Sequence, residues 1–187
     1  MVRYYIRGEL IMNIWHDIDN DRIKKDNFIA CIEIPKGSKK KYELDKETGM
    51  IILDRILYTS THYPANYGFI PRTYSQDNDP LDVLILCSET FDPLVLVKCF
   101  PIGVVKMFDE HESDEKIIAV CQNDPSMNGY KDISELPKHY FDEITHFFNV
   151  YKTLEGKETV VTEVLGREDA EKIIQESIDA YDRLLLK

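Results

Sequence analysis

The spacing of apolar residues changes once along this chain of 187 residues, and that change limits the fold more than any other feature. Up to Cys121, short runs rich in β-branched and aromatic residues alternate with turn residues, a pattern typical of strands. From Leu136 onward, apolar residues recur every three or four positions, which predicts amphipathic helices. The predicted strands cover 28–34, 50–58, 83–86, 94–100, 102–107, 116–121 and, later in the chain, 158–164.

Two helical faces follow the strands, one after Leu136 and one after Gly166. The first apolar face is Tyr140, Phe141, Ile144, Phe147, Phe148 and Tyr151, and the second is Ala170, Ile173, Ile174, Ile178, Tyr181, Leu184 and Leu185. Strands grouped first and helices later favour an α+β fold, with an antiparallel sheet or small barrel flanked by helices, over an alternating parallel sheet. Residues 47–49 end in glycine and predict a hairpin turn.

The length of the chain suits one domain, 1–187, and residues 1–11 before Met12 are treated as an N-terminal extension of open role. An excess of 34 acidic over 23 basic residues gives a net charge of −11, which argues against nucleic-acid partners and an anionic membrane surface. The four cysteines are far apart and lie mostly in apolar runs, as expected of buried thiols in a reducing compartment. No apolar run reaches the ~18 residues of a membrane span. We therefore predict a cytoplasmic protein.

Three aspartates lie close together at Asp77, Asp79 and Asp82. Pro80 favours extended backbone at Asp79, and alternation along an extended segment would point Asp77 and Asp79 to the same side. Asp82 directly precedes the apolar run 83–86, so a strand would hold it rigidly, as a metal ligand requires. Asp, Asn and Pro are also common in ordinary turns. The alternative to a metal site is therefore an acidic turn without function.

A second acidic group at 109–115 follows a predicted strand, where a hairpin tip is expected. It contains Asp109, Glu110 and Asp114, with Lys116 directly after it. Hairpin tips are often charged, so a solvated loop is the alternative here. Taken together, however, the two acidic groups could hold two or more hard cations, which would bridge the acidic protein and an anionic phosphate substrate.

Basic and phenolic side chains could provide the complementary half of such a site. The candidates are Lys41, Arg55, Tyr63, Tyr67, Tyr151 and Lys152. Arginine and lysine suit phosphate oxygens, although Lys41 belongs to a charge run and Tyr151 continues an apolar helical face. Glu33 stands alone in an apolar run, where a buried charge requires a cation or a donor opposite it.

Eight segments occur in an order and spacing that resemble one known family. They lie at 32–35, 41–46, 53–55, 63–68, 77–83, 103–107, 109–116 and 146–152, and the segment 77–83 reads Asp-Asn-Asp-Pro-Leu-Asp-Val. This set resembles the soluble family I inorganic pyrophosphatases, from about residue 29 to the C-terminal helix. Asn78 departs from the family, where glycine is common, but asparagine tolerates left-handed backbone better than most residues.

The resemblance implies a five-stranded antiparallel OB-like β-barrel flanked by two main α-helices. It also implies an enzyme that hydrolyses pyrophosphate to two orthophosphates by direct attack of a metal-activated water. Several Mg²⁺ ions would bind in each active site, Mn²⁺ could substitute for them, and the substrate would be the magnesium complex of pyrophosphate. Members of this compact length are commonly hexamers, so the resemblance implies a homo-oligomer, and specifically a hexamer.

The resemblance also assigns roles to single residues. Asp79 would accept the proton of the attacking water. The ligands of the activating metals would be Asp77, Asp82 and Asp114, with Asp82 bridging two ions, while Asp109 and Glu33 would hold metals that arrive with the substrate. Phosphate oxygens would bind Lys41, Arg55, Tyr67, Tyr151 and Lys152, supported by Glu43, Tyr63, Glu110 and Lys116.

Two other functions are weighed against this one. A metal-dependent phosphohydrolase that acts on a nucleotide or an organic phosphate ester would use the same kinds of groups. An OB-type module that binds oligonucleotides would agree with a barrel and with the many tyrosines. The net charge of −11 argues against the second alternative.

Overall fold

The computed structural model describes residues 5–6, 9–10, 12–110 and 112–186. The strands in this part of the chain are β1 (Tyr5–Ile6), β2 (Glu9–Leu10), β3 (Ile23–Lys24), β4 (Asn27–Ile34), β5 (Lys40–Leu44), β6 (Ile51–Ile56), β7 (Asn66–Phe69), β8 (Asp82–Leu86), β9 (Leu96–Asp109), β10 (Glu112–Cys121) and β11 (Thr159–Gly166). The α-helices are α1 (His139–Val150) and α2 (Arg167–Leu185), and 3₁₀ turns lie at Asn20–Arg22, Ile133–Glu135 and Thr153–Glu155.

Five strands close into a barrel in the order β4, β7, β8, β10, β9 and back to β4. The closing contact pairs β4 with the first residues of β9, from Phe28 opposite Cys99 to Cys31 opposite Leu96. This ring and its two helices confirm the predicted α+β fold with an OB-like barrel. The prediction of a wholly antiparallel barrel needs one correction, because β8 and β10 pair in parallel. Consecutive strands can pair through hairpins, but β8 and β10 are separated by β9 and run in the same direction.

A single long strand, β9, replaces the two strands predicted at 94–100 and 102–107. Its first part pairs with β4 and its second with β11, while β10 follows it along both. The register with β10 shifts opposite Pro101–Gly103, a bulge that accommodates a proline without a backbone donor. Gly103 is required beside it, because a Cβ there would lie 2.7 Å from the carbonyl oxygen of Leu165.

Alternate residues of the barrel strands enter two different cores. Leu84 and Leu86 of β8 pack with α1 residues such as Phe147 and Phe148. Val83 and Ile85 belong to the core that includes Ala170 and Ile174 of α2. The period-two alternation of the strands therefore places α1 and α2 against different faces of the sheet. Both predicted helices are confirmed, and each buries the middle of its predicted apolar face, whereas Tyr140 at the start of α1 is exposed.

The strands β5 and β6 form a separate hairpin beside the barrel. Its turn confirms the prediction at 47–49: Gly49 has a φ of 71°, and its N–H donates to the carbonyl of Asp45 at 2.8 Å. Neither β5 nor β7 was predicted from the sequence. The sequence of β5, Lys-Lys-Tyr-Glu-Leu, is dominated by charge, and β7 has only four residues, so the local pattern of each is weak.

Most of the proposed extension at residues 1–11 lies outside the described residues. The backbone of two short pieces is described, and there β1 and β2 pair in an antiparallel arrangement. None of the helices in the described part of the chain combines the length and apolar character that a bilayer crossing requires.

Candidate active site

A cavity of about 320 Å³ is lined by the barrel, the β5–β6 hairpin and the end of α1. Its acidic lining residues are Glu33, Glu43, Asp77, Asp79, Asp82, Asp109 and Asp114. Its basic lining residues are Lys41, Lys46, Lys116 and Lys152, and its tyrosines are Tyr42, Tyr63, Tyr67 and Tyr151. The structure therefore brings together all five predicted metal ligands, the predicted base and four of the five predicted phosphate ligands.

The barrel strands bring several carboxylates to the cavity. Asp82 begins β8 and pairs in register with Lys116 of the parallel strand β10. Asp114 lies two residues before Lys116, so both side chains leave β10 on the same face. Asp109 ends β9 and lies opposite Glu112, which confirms the predicted hairpin tip. The acidic tip is therefore part of the cavity wall and not only a solvated loop.

The segment 75–79 is a tight turn. The N–H of Ser75 donates to the carbonyl of Asp79 at 2.8 Å, and the N–H of Asn78 donates to the carbonyl of Ser75 at 3.1 Å. Asn78 has a φ of 68°, the left-handed conformation that its side chain was expected to tolerate. The prediction that extended backbone aligns Asp77 and Asp79 is therefore wrong. Both still line the cavity, because the reversal keeps them close, with the N–H of Asp79 bonded to Asp77 Oδ1 at 3.0 Å.

Lys116 lies at the centre of the carboxylates, with a side chain only 4% exposed. Its Nζ is 2.7 Å from Asp82 Oδ2 and 2.9 Å from Asp114 Oδ2, and it also donates to the Tyr67 hydroxyl at 3.1 Å. The Tyr67 hydroxyl donates to Asp82 Oδ2 in turn. Burial favours the neutral amine, but the carboxylates of Asp114 and Asp82 outweigh it and raise the pKa of Lys116 well above its ordinary value.

Several carboxyl groups of the cavity have raised pKa values. Partial desolvation raises the pKa of Asp77 to about 6, and the charges of Asp82 and Asp114 act in the same direction. Burial, followed by the charge of Asp82, raises the pKa of Glu33 well above its usual range. Burial also raises the pKa of Asp114, although Lys116 opposes the shift. The cavity lining holds seven carboxyl groups and four lysines, so negative charge is in excess when the carboxyl groups are ionised.

The described residues contain no group of three or more His, Cys, Asp or Glu side chains already arranged around a metal position. The residues present nevertheless fit a hard divalent cation. Their donors are carboxylate oxygens, which Mg²⁺ and Mn²⁺ prefer. In addition, Asp109 Oδ1 is buried and has no hydrogen-bond partner among the described residues, so this oxygen can accept a further cation.

The cationic residues of the site are paired with carboxylates. Lys152 contacts Asp109, and Lys41 contacts both Glu43 and Asp54, the latter at 3.1 Å. An anionic ligand that binds these lysines must therefore share them with carboxylates or displace those carboxylates.

Arg55 was predicted to bind phosphate, but it does not line the cavity. Its Nε donates to Glu155 Oε1 at 3.0 Å, and its Nη1 contacts Asp54. Glu110, predicted as a supporting residue, is also outside the cavity lining and pairs with Lys157 at 2.7 Å. Their predicted roles stay predictions.

Sequence reasoning missed Lys46 as a site residue. Its Nζ lies 2.5 Å from Asp79 Oδ1 and donates to the carbonyl of Asn78 at 3.1 Å, so it contacts the turn that carries the predicted base. The available signal was its position in the matching segment 41–46, next to the hairpin turn. Tyr42 was missed in the same segment.

Comparisons with known proteins agree on one family. The family model described as inorganic pyrophosphatase matches residues 30–182. The soluble inorganic pyrophosphatase 2 of Chlamydomonas reinhardtii is 51% identical over 170 residues, which cover 89% of this chain and 87% of the relative. The inorganic pyrophosphatase structure from Helicobacter pylori is 44% identical with a TM-score of 0.83, covering 86% of this chain and 96% of that one. The structure from Thermus thermophilus is 36% identical with a TM-score of 0.85, covering 91% and 99%. The chain therefore belongs to the inorganic pyrophosphatase family and is an inorganic diphosphatase.

Proposed function

We propose that this chain hydrolyses inorganic pyrophosphate, as its magnesium complex, to two orthophosphates by direct attack of water. The observation that carries the proposal is the meeting of seven carboxylates, four lysines and four tyrosines in one cavity of about 320 Å³. A pyrophosphate bound there would meet both carboxylates that can hold hard cations and lysines that can bind phosphate oxygens. A covalent intermediate on the protein is not needed, because water can be the nucleophile in phosphoryl transfer.

Asp77, Asp82 and Asp114 would hold the activating Mg²⁺ ions, with Asp82 shared between two of them. Asp109 and Glu33 would hold ions that enter with pyrophosphate, and the unpartnered Asp109 Oδ1 supports this role. When bound, such ions supply positive charge to phosphoryl oxygens and lower the pKa of water. The all-oxygen donor set would also admit Mn²⁺.

Asp79 would accept a proton from the attacking water. Its carboxylate lines the cavity and forms an ion pair with Lys46. The residues proposed to hold phosphate oxygens are Lys41, Arg55, Tyr67, Tyr151 and Lys152, and those proposed to support them are Glu43, Tyr63, Glu110 and Lys116. Positive side chains at the leaving phosphate would stabilise the charge that develops there.

We also propose a cellular compartment, a range of partners and an oligomeric state for this chain. The four cysteines are free thiols, three of them buried, which supports a reducing compartment and agrees with the cytoplasm. The net charge of −11 argues against nucleic acid and anionic membranes as partners. We propose one domain over 1–187 that assembles as a homo-oligomer, a hexamer, and sedimentation analysis of the purified chain tests the assembly.

The proposed function is tested by phosphate release from pyrophosphate with and without metal. We expect activity with Mg²⁺, loss of activity in EDTA, and recovery when Mg²⁺ is restored in excess. A parallel panel contains nucleoside triphosphates and organic phosphate esters. Equal rates on triphosphates and pyrophosphate would favour the alternative phosphohydrolase and would contradict the proposed substrate.

Metal binding should release protons at mildly acidic pH. At about pH 6, roughly half of Asp77 is protonated, since its pKa is raised to about 6. Metal ligands must be ionised, so Mg²⁺ binding displaces these protons, and the release should fade at about pH 8. Titration calorimetry in two buffers of different ionisation enthalpy measures the released protons.

The calorimetric experiment has two matched variants. Asp77→Asn should reduce the proton release at mildly acidic pH, because the titrating carboxyl is removed. Asp142→Asn changes an exposed carboxylate of α1 that pairs with Lys138, and it should leave the release unchanged. Equal proton release at both pH values in the unmodified chain would show that Asp77 is not the source of the released protons.

A further inference from the structure

Glu155 makes a long-range contact with Arg55 that the proposed mechanism has not used. The Nε of Arg55 lies 3.0 Å from Oε1 and 2.9 Å from Oε2 of Glu155, across 100 positions of sequence. The Glu155 side chain is only 10% exposed. A nearly buried carboxylate that keeps both oxygens on one guanidinium nitrogen forms a charge-assisted contact that fixes the orientation of the arginine.

The contact joins two parts of the site that carry phosphate-binding candidates. Glu155 ends the 3₁₀ turn that follows Lys152, and Lys152 lines the cavity. Arg55 lies in β6 directly opposite Lys41 of β5, and Lys41 lines the same cavity. Asp54 contacts both Arg55 and Lys41. Glu155 therefore ties the hairpin that carries Lys41 to the turn that carries Lys152.

The remaining donors of Arg55 are suited to an anion. A guanidinium has five N–H donors. The Nε donor is used by Glu155 and one Nη1 donor by Asp54, while Nη2 has no hydrogen-bonded partner among the described residues. Without the Glu155 contact, the guanidinium would keep only its Nη1 contact with Asp54 among the hydrogen bonds described, so an anion would have to restrict its remaining motion on binding.

We propose that Glu155 is a positioning residue, which fixes the orientation of the Arg55 guanidinium and leaves its Nη2 group available to a phosphate group. The proposal rests on the proposed function, because it deepens the account of the same site. It predicts that the loss of Glu155 weakens phosphate binding only through Arg55. The opposite role, in which Glu155 competes with phosphate for Arg55, predicts tighter phosphate binding when Glu155 is removed.

The test is a double-mutant cycle on Glu155 and Arg55. The variants are Glu155→Ala, Arg55→Ala and the double variant, and the readouts are the Kd of inorganic phosphate by calorimetry and the kcat and KM for pyrophosphate. Glu155→Ala should weaken phosphate binding and lower kcat/KM by about tenfold, the effect of one charge-assisted hydrogen bond. Arg55→Ala and the double variant should agree with each other, because Glu155 acts only through Arg55.

Two further variants separate positioning from a general structural effect. Glu155→Gln keeps an acceptor for Arg55 Nε and should lose less than Glu155→Ala. Glu158→Ala removes an exposed carboxylate three residues further on and should behave like the unmodified chain. Thermal melting identifies any variant that fails to fold. If Glu155→Ala fails to fold, Glu155→Gln replaces it in the double-mutant cycle.

The proposal is overturned if the losses from Glu155→Ala and Arg55→Ala add, or if Glu155→Ala leaves phosphate affinity unchanged or strengthens it. The proposed function is tested separately, by measuring pyrophosphate hydrolysis by the unmodified chain. An unmodified chain that binds phosphate but does not hydrolyse pyrophosphate would refute the function. The phosphate-binding cycle would still decide whether Glu155 positions Arg55.

Discussion

Asp82→Asn is expected to lower kcat for pyrophosphate by about a thousandfold or more while the chain still folds, because the variant removes the charge of a proposed metal ligand. Asp82 is held at the start of β8 and contacts both Lys116 and Tyr67. Asparagine preserves the size of the side chain and an oxygen that can accept from Lys116. It cannot provide the negative charge that two shared cations would require.

The measurement combines steady-state kinetics, Mg²⁺ titration and a thermal melt. Asp142→Asn is the matched control, since Asp142 is an exposed aspartate of α1, and it should keep full activity. We expect weaker Mg²⁺ binding in Asp82→Asn and little change in melting temperature without metal. If Asp82→Asn retained a large part of the activity, the aspartate cluster would not be the reacting centre.

Lys116→Met should destabilise the metal-free chain by about 3 kcal/mol, as expected when one partner of a largely buried charge network is removed. The variant leaves the carboxylates of Asp82 and Asp114 facing each other, with side chains 24% and 14% exposed. Because these side chains are partly exposed, we expect a loss of stability at the lower end of the range for buried charge networks. Mg²⁺ should restore part of the lost stability, because cations would bind the same carboxylates.

Urea unfolding with and without Mg²⁺ measures this effect. Lys138→Met is the matched control, because the side chain of Lys138 is 85% exposed and its ion pair is with the exposed Asp142. Its stability should change by less than about 0.5 kcal/mol. Equal destabilisation of Lys116→Met in the presence and absence of Mg²⁺ would contradict the view that Lys116 neutralises the proposed metal ligands.

The sequence predicted much of the fold because strands and helices have their own periodicities. The helical spacing after Leu136 predicted α1 and α2, and the glycine of the segment 47–49 predicted the hairpin turn. The predictions failed where the local signal was weak or was overridden. The charged strand β5 and the short strand β7 were missed, and β9 was divided in two at Pro101, because a bulge lets the strand continue past the proline.

The acidic clusters could also be found from the sequence. The sequence did not reveal which backbone conformation brings Asp77 and Asp79 together in the cavity. Asp77 and Asp79 were expected to align on extended backbone, whereas a tight turn with Asn78 in the left-handed conformation keeps them together. Arg55 was predicted as a phosphate ligand from its residue type, yet its neighbour in the structure is Glu155. Residue type indicates what a side chain can bind, while packing decides which partner it meets.

The sequence by itself determined the two helices, most strands, the acidic clusters and the resemblance to a family, since each depends on residues that are close along the chain. Only the tertiary structure decided the closure of the barrel between β4 and β9, the parallel pairing of β8 with β10, and the position of Lys116 between Asp82 and Asp114. It also decided that Arg55 meets Glu155 across 100 residues. The physical reason is that burial and electrostatic pairing depend on distance in space, which no local spacing of residues encodes.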